Sequence, residues 1–94
     1  MIKSFTCKDT AKLWNGETTK RWHSSLQDRA LVKLRLIDAA ITVDDLRNPP
    51  GNRLEALKGD RLGQLSLRIN DQWRICFTWN NGEVHGVEII DYHR

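Results

Sequence analysis

Three side chains able to exchange protons stand in a row near the end of the chain. Asp91, Tyr92 and His93 follow the largely apolar residues 87–90. Histidine has an unperturbed pKa of about 6.5, so it accepts and releases protons at neutral pH. A neighbouring carboxylate can take up a proton or orient the imidazole. The row therefore indicates acid–base chemistry. The alternative is that a histidine near the chain end is an ordinary surface residue.

Two arginines are predicted to face each other across adjacent strands. Alternating apolar and polar residues indicate a hairpin whose apolar side chains share one face. If Ile69 pairs with Trp73 in a tight register, Arg68 lies directly across from Arg74. Like charges in that position destabilise a sheet, so the pair needs an anion, either Glu88 or a phosphate. The alternative is a shifted register with two solvated arginines.

Further cations extend this predicted patch. Lys58 and Arg61 flank Gly59 and, with Arg68, are expected to bind RNA phosphates. Cleavage of RNA through its 2′-hydroxyl needs a base for the hydroxyl proton, an acid for the departing 5′-oxygen, and cations where charge gathers on the phosphorus. The chain offers these groups without a metal-ligand spacing, so the pattern suits metal-independent RNA cleavage.

The turn before the last strand decides which terminal residues join the arginines. A two-residue turn at Asn81–Gly82 would place Asp91 and His93 on the arginine face, whereas a three-residue turn would place Tyr92 there. Under either alternative, part of the terminal row borders the basic residues.

A long amphipathic helix is predicted in the first half of the chain. Ser24 followed three residues later by Gln27 is a capping-box pattern, which marks a helix start. Its buried face is predicted from apolar residues at three- or four-residue spacing, namely Leu26, Ala30, Leu34, Ile37 and Ile41. The helix should have about four turns and pack on an apolar surface.

Shorter elements surround this helix. They are a strand at 2–7, a helix from Asp9 or Thr10 to Trp14, a capped turn at Thr42–Asp45, and strands at 53–59, 64–70, 73–79 and 84–90. Helices followed by antiparallel strands predict an α+β fold, with the N-terminal strand and the helices packed on one face of a small, mainly antiparallel sheet. Residues 1–94 are expected to form a single domain.

Composition limits the class of protein. The chain has 94 residues, 39% of them hydrophobic, enough for one modest core. Its net charge of +3 is a mild indication of a polyanionic partner, or a solvated charged surface. Cys7 and Cys76 lack disulfide-framework or metal-site spacing and are expected to be reduced and buried. The first residues contain no long apolar stretch, which predicts a cytoplasmic protein with neither a secretory signal nor a membrane span.

Longer motifs match one known family. They are IKSF at 2–5, PPGNRLE at 49–55, KGDRxGxxSxRxNxQWRIxF at 58–77 and DYH at 91–93. With these motifs the chain resembles the HigB-type toxins of bacterial type II toxin–antitoxin systems, in the RelE/ParE superfamily, over nearly its whole length. The resemblance implies a RelE/ParE-like, microbial-ribonuclease-like fold. It also implies a toxin that enters the ribosomal A site, cleaves messenger RNA there, and inhibits translation and growth.

The same resemblance implies partners and residue roles. A HigA-type antitoxin with a helix-turn-helix domain would neutralise the toxin, operator DNA would be bound only through the toxin–antitoxin complex, and no cofactor is expected. His93 would act as general acid or base, and Asp91 would orient it or serve as the base. Tyr92 would stack on a base or share a proton, and Arg74 and Lys58 would stabilise charge.

Glu55 departs from the family pattern. Better known members carry a histidine at this position. A carboxylate can act as a catalytic base, but it cannot clamp a phosphate as a protonated imidazole does. The alternative to a catalytic role is an ion pair between Glu55 and Lys58 or Arg53.

Two other functions stay open. ParE-type relatives inhibit DNA gyrase and need no cleavage residues, but the terminal row and Arg74 favour RNA cleavage over that activity. A non-enzymatic module would use the basic face only to hold RNA or an acidic protein segment. It predicts that replacing Asp91 or His93 has little effect, whereas charge reversal at Arg68, Arg74 and Lys58 weakens binding in a salt-dependent way.

Overall fold

Over residues 1–92, which are the residues that the computed structural model describes, two α-helices pack on a four-stranded antiparallel sheet. Neither helix is long and apolar enough to cross a membrane. The elements are α1 (Lys8–Trp14), α2 (Ser24–Ala39), β1 (Glu55–Ala56), β2 (Leu65–Arg68), β3 (Trp73–Asn80) and β4 (Glu83–Asp91). The strands occur in the sheet in chain order. The predicted α+β class is confirmed.

The hydrophobic core lies between the helices and one face of the sheet. From α2 it takes Leu26, Ala30, Leu34 and Ile37, all buried as their spacing predicts. From the hairpin strands it takes Leu67, Ile69, Ile75, Phe77, Val84, Val87 and Ile89. Because side chains alternate across a strand, the residues between these positions on β2 and β3 point to the opposite face. That opposite face carries the arginines.

Two details of α2 differ from the prediction. Ile41 is 82% exposed, because the helix ends before it. The capping box of Ser24 and Gln27 does not form. The Gln27 amide instead donates to the carbonyl oxygens of Thr19 and Trp22, at 2.8 and 2.6 Å. The buried amide ties down the loop before the helix, so this packing overrides the local capping pattern.

The capped turn after α2 forms as predicted. Asp45 Oδ2 accepts hydrogen bonds from the backbone nitrogens of Thr42 and Ile41, at 3.0 and 2.9 Å. These bonds, that from Thr42 first, stabilise the charged carboxylate and lower the pKa of Asp45.

The strand predicted at 53–59 is only the two-residue β1. Arg53 adopts a left-handed conformation with φ of 44°, which bends the chain just before the strand. A 3₁₀ turn at Gly59–Arg61 then follows it. Local turn geometry on both sides therefore leaves room for two paired residues, of which Glu55 lies opposite Ser66.

The N-terminal segment pairs with β4 at two separate points rather than along a continuous strand. Ile2 forms a parallel bridge with Val84, and Phe5 forms one with Val87. Between these points the backbone nitrogen of Gly86 donates to Ser4 Oγ at 2.9 Å. The ladder is interrupted because β4 is irregular at Gly86.

The predicted register between β2 and β3 is confirmed. Ile69 N donates to Trp73 O at 2.9 Å, and Arg68 lies directly opposite Arg74. We call the side of the sheet that carries Arg68 and Arg74 the arginine face. It lies on the side away from the hydrophobic core, and here Arg68 is partly exposed whereas Arg74 is buried.

The last hairpin combines a predicted turn with an unpredicted bulge. Asn81 and Gly82 form the two-residue turn, with φ of 50° and 84° as such turns require. Further along β4, Gly86 and Val87 both oppose Phe77. Gly86 has φ of 63°, and a Cβ at this position would lie 3.2 Å from a side-chain oxygen of the N-terminal segment.

The bulge reverses which terminal residue joins the arginines. It shifts the register by one residue, so Asp91 pairs with Trp73, whose side chain packs on the core side. Tyr92 is therefore the residue on the arginine face. The expectation that a two-residue turn places Asp91 there is wrong, because the extra residue cancels the effect of the turn. His93, which the same expectation included, lies outside the described residues.

Candidate active site

A pocket of about 440 Å³ opens on the arginine face. We call it the basic pocket, and its lining residues are Arg53, Glu55, Arg68, Asn70, Asp71, Arg74 and Tyr92. Four of these are residues that the sequence singled out as catalytic or phosphate-binding. Strands β1, β2 and β3 and the end of β4 each supply one of the four, so the antiparallel register itself assembles the site.

Arg74 is the fixed centre of the basic pocket. Its Nε donates to Ser66 Oγ at 2.7 Å, and its Nη2 donates to the carbonyl oxygen of Arg53 at 2.5 Å. Nη2 also lies 3.5 Å from Glu55 Oε2, and the guanidinium carbon stands 5.4 Å from the centre of the Tyr92 ring. Burial lowers the pKa of Arg74 and the Glu55 carboxylate opposes that shift, but arginine stays protonated at neutral pH.

Ser66 should contribute to stability through this contact. In Ser66→Ala, the buried Nε–H of Arg74 loses its acceptor, so the free energy of unfolding should fall by about 1–3 kcal/mol. Urea denaturation would measure the change. Ser25→Ala, at an exposed position of α2, is the matched control and should change the free energy by less than about 0.5 kcal/mol. Equal stability of the two variants would contradict the prediction.

Arg68 is held by a different partner from the one expected. Its Nη2 forms an ion pair with Asp71, and this contact is the main cause of the lowered pKa of Asp71. Lys33, on α2, donates a hydrogen bond to Asn52 Oδ1 at 2.5 Å. Burial first, and then the charges of Arg29 and Arg68, lower the pKa of Lys33.

Glu88 does not neutralise the opposed arginines. Its carboxylate pairs with Arg61, with Oε1 2.7 Å from Arg61 Nη2. The anions that border Arg68 and Arg74 are Asp71 and Glu55. The prediction that the opposed arginines need an anion fits this arrangement. Of the two candidates, Glu88 is wrong, because it pairs with Arg61 from the turn after β1, and a phosphate stays a prediction.

Lys58 and Arg61 line a second pocket, of about 320 Å³, beside the basic pocket. Its other lining residues are Glu55, Ala56, Leu57 and Tyr92. Both pockets share Glu55 and Tyr92, so the two cavities adjoin at these side chains. Cations that the sequence predicts to bind phosphate thus line both of the pockets that Tyr92 borders.

Gln72 secures the end of β4. Its carbonyl oxygen accepts a hydrogen bond from Tyr92 N at 2.6 Å, and its Nε2 donates to Asp91 Oδ2 at 3.1 Å. Asp91 is exposed and does not line the basic pocket. The structure therefore separates Asp91 from Arg74, which the sequence grouped together.

Glu55 forms its ion pair with Arg74. Among the pairs within 4.0 Å that involve residues 1–92, the partner of Glu55 is Arg74 rather than Lys58 or Arg53. The carbonyl oxygen of Arg53 accepts a hydrogen bond from Arg74, and the Arg53 backbone is left-handed; no sequence pattern signalled either feature. Glu55 thus forms an ion pair, but the predicted partners, Lys58 and Arg53, are wrong.

The two cysteines differ in burial and should differ in reactivity. Cys76 is buried, which raises the pKa of its thiol to about 11, whereas Cys7 is only partly buried. The expectation of burial holds for Cys76 and fails for Cys7. Because the thiolate is the reactive form, iodoacetamide at about pH 8 should label Cys7 in the folded protein and spare Cys76. Mass spectrometry would detect this, and urea should abolish the difference. Equal labelling of both thiols in the folded protein would contradict it.

Comparison with solved structures supports the fold. The YoeB-YefM complex from Staphylococcus aureus aligns with a TM-score of 0.59 and 16% identity, over 100% of this chain and 99% of that one. A YoeB/ParE toxin from Agrobacterium tumefaciens aligns with a TM-score of 0.51 and 20% identity, over 99% and 98% of the two chains. At these identities the likeness concerns the fold alone.

Comparison of sequences identifies the family. Toxin HigB-1 of Vibrio cholerae is 46% identical over 59 residues, which are 63% of this chain and 62% of that protein. Endoribonuclease HigB of Proteus vulgaris is 36% identical over 93 residues, which are 99% of this chain and 100% of that protein. Residues 3–93 match the family model described as "RelE-like toxin of type II toxin-antitoxin system HigB". The chain therefore belongs to the HigB-like toxin family.

Proposed function

We propose that this chain is the toxin of a type II toxin–antitoxin pair and an endoribonuclease that cleaves messenger RNA in the ribosomal A site. Family membership and the full-length relative named Endoribonuclease HigB support the ribonuclease activity. The observation that carries the proposal is the buried Arg74 guanidinium, fixed at the floor of a basic pocket beside the Tyr92 ring. Such a group suits a phosphodiester whose negative charge increases during cleavage.

Arg74 would stabilise the charge that gathers on the scissile phosphate. Its contacts with Ser66 and the Arg53 carbonyl hold the guanidinium in place before substrate arrives, so little reorganisation is needed during the reaction. Arg68 would bind an adjacent phosphate in the same pocket, and Lys58 would bind one in the second pocket.

Tyr92 would stack on a base of the substrate, since it borders both pockets. His93 follows Tyr92 in the sequence, and we assign it the role of general acid or base. Asp91 would orient the His93 imidazole rather than take up the proton itself. Its carboxylate is bonded to Gln72 outside the basic pocket, which favours that indirect role over direct action as the base.

The solved structures of similar fold also indicate partners for the proposed toxin. The YoeB-YefM structures are toxin–antitoxin complexes, which supports an antitoxin partner for a chain of this fold. We propose a HigA-type antitoxin with a helix-turn-helix domain, through which the complex would bind operator DNA. The substrate would be messenger RNA on the ribosome, in the cytoplasm.

Primer extension tests this function. A defined messenger RNA is incubated with the protein in a reconstituted translation mix, with and without ribosomes. Cuts that require ribosomes are expected. Cleavage of free RNA would instead indicate an autonomous ribonuclease, and absence of cleavage together with inhibition of DNA supercoiling would favour a gyrase inhibitor.

A further inference from the structure

Glu55 stands where the two pockets of the arginine face meet. It lies on β1 opposite Ser66, and the register directs its side chain toward Arg74. The carboxylate oxygen Oε2 is 3.5 Å from Arg74 Nη2. The side chain of Glu55 is 41% exposed, whereas that of Arg74 is 7% exposed. One partner of this ion pair is therefore fixed and the other borders solvent.

The fixed partner is also the cation that a phosphate would approach. Arg74 Nε donates to Ser66 Oγ, and Nη2 donates to the Arg53 carbonyl oxygen. Glu55 contacts the same Nη2 at 3.5 Å, and it lines both the basic pocket and its neighbour. A phosphate oxygen entering next to Arg74 would face this carboxylate, and two anions on one cation repel each other.

We propose that Glu55 is an intramolecular competitor for the substrate phosphate on Arg74 and thereby sets a low affinity of the site for RNA. This inference rests on the function proposed above. The phosphodiester binds by displacing the carboxylate toward solvent, while Arg74 stays in place. Glu55 is then a determinant of affinity rather than a proton-transfer group.

This role differs from that of a general base in the kinetic constant it affects. Removing a base slows the chemical step, which lowers kcat. Removing a competitor for the binding site lowers KM and leaves kcat nearly unchanged. The two roles of Glu55 thus predict opposite effects of the same substitution on kcat/KM.

The test uses Glu55→Gln, with Glu55→Asp and Glu17→Gln beside it. Gln removes the charge at nearly constant volume, and Asp keeps a charge in the pocket. Glu17→Gln makes the same change in net charge in the exposed loop after α1, away from both pockets. Binding of a short 2′-O-methyl oligoribonucleotide, which lacks the attacking hydroxyl, is followed by fluorescence anisotropy. Cleavage by the same variants is followed in the ribosome-containing mix.

Glu55→Gln should bind the oligonucleotide about fivefold more tightly than the wild type, the effect of one partly exposed charge pair. Its KM should fall by a similar factor, with kcat within about twofold of the wild type. Glu55→Asp keeps the charge on a shorter side chain, so its affinity should lie between those of the wild type and Glu55→Gln. Glu17→Gln should stay near the wild-type affinity. Equal tightening in Glu17→Gln would overturn the proposal, because it would show a general charge effect.

Two further results would also overturn it. One is unchanged or weaker binding by Glu55→Gln, and the other is a loss of kcat of about a hundredfold at unchanged KM, which a general base predicts. Failure of the proposed function has a different signature, since the wild type itself would then cut no messenger RNA. The anisotropy measurement still reports on competition in that case, because it needs no cleavage.

Discussion

Arg74→Ala should reduce the rate of messenger RNA cleavage by about a hundredfold to a thousandfold, the usual effect of removing one preorganised group that stabilises transition-state charge. The guanidinium is held by Ser66 and the Arg53 carbonyl, and no other cation on the described part of the chain has this position. Single-turnover cleavage of ribosome-bound messenger RNA measures the effect on the chemical step.

The matched control is Arg35→Ala, which removes an exposed arginine from α2 and should leave the rate within about twofold. Arg74→Lys separates charge from geometry. Lysine keeps the positive charge but lacks the planar fork that reaches Ser66, the Arg53 carbonyl and a phosphate together, so it should recover only a small part of the activity. Thermal unfolding of each variant distinguishes lost catalysis from lost structure. Near wild-type cleavage by folded Arg74→Ala would refute the assignment.

His93→Ala should reduce cleavage by about a hundredfold to ten-thousandfold, the range expected for a general acid or base. Toxicity in growing cells should disappear with it. His93 follows Tyr92 in the sequence. Thermal unfolding of the variant shows whether any loss of activity comes from lost structure. Added imidazole should restore part of the activity if the loss is one of proton transfer.

His23→Ala and His85→Ala are the matched controls for this substitution. His23 is exposed at the start of α2, and His85 lies on β4 beside Glu83, with 3.2 Å between His85 Nε2 and Glu83 Oε1. Neither lines the basic pocket, so both variants should cleave at nearly the wild-type rate. A fully toxic His93→Ala protein would exclude His93 from the chemistry. Glu55 would then be the remaining candidate base to test.

Local pattern predicted most of the secondary structure, because helix and strand periodicity are properties of the backbone. Leu26, Ala30, Leu34 and Ile37 recur at helical spacing and are buried. The opposition of Arg68 and Arg74 also followed from sequence, since one tight hairpin determines the pairing of every residue along it.

Structural features that depend on contacts with residues distant in sequence were predicted less well. The capping box at Ser24 was displaced by the contacts of Gln27 with the preceding loop. Ile41 fitted the helical spacing but lies beyond the end of α2. In each case a tertiary contact or a chain turn decided the outcome. Neither is visible in the local pattern, and each outweighed a local helix preference of about 1 kcal/mol.

By itself, then, the sequence determined the helices, the hairpin, the opposed arginines and, through its long motifs, the family. Tertiary structure alone decided which side chains meet in the pocket. The bulge at Gly86, fitted against Ser4 and the N-terminal segment, moved Tyr92 onto the arginine face and Asp91 off it. Periodicity is a local property of the sequence, whereas this one-residue bulge depends on packing between segments about eighty positions apart. A one-residue shift moves each later side chain of the strand to the opposite face of the sheet.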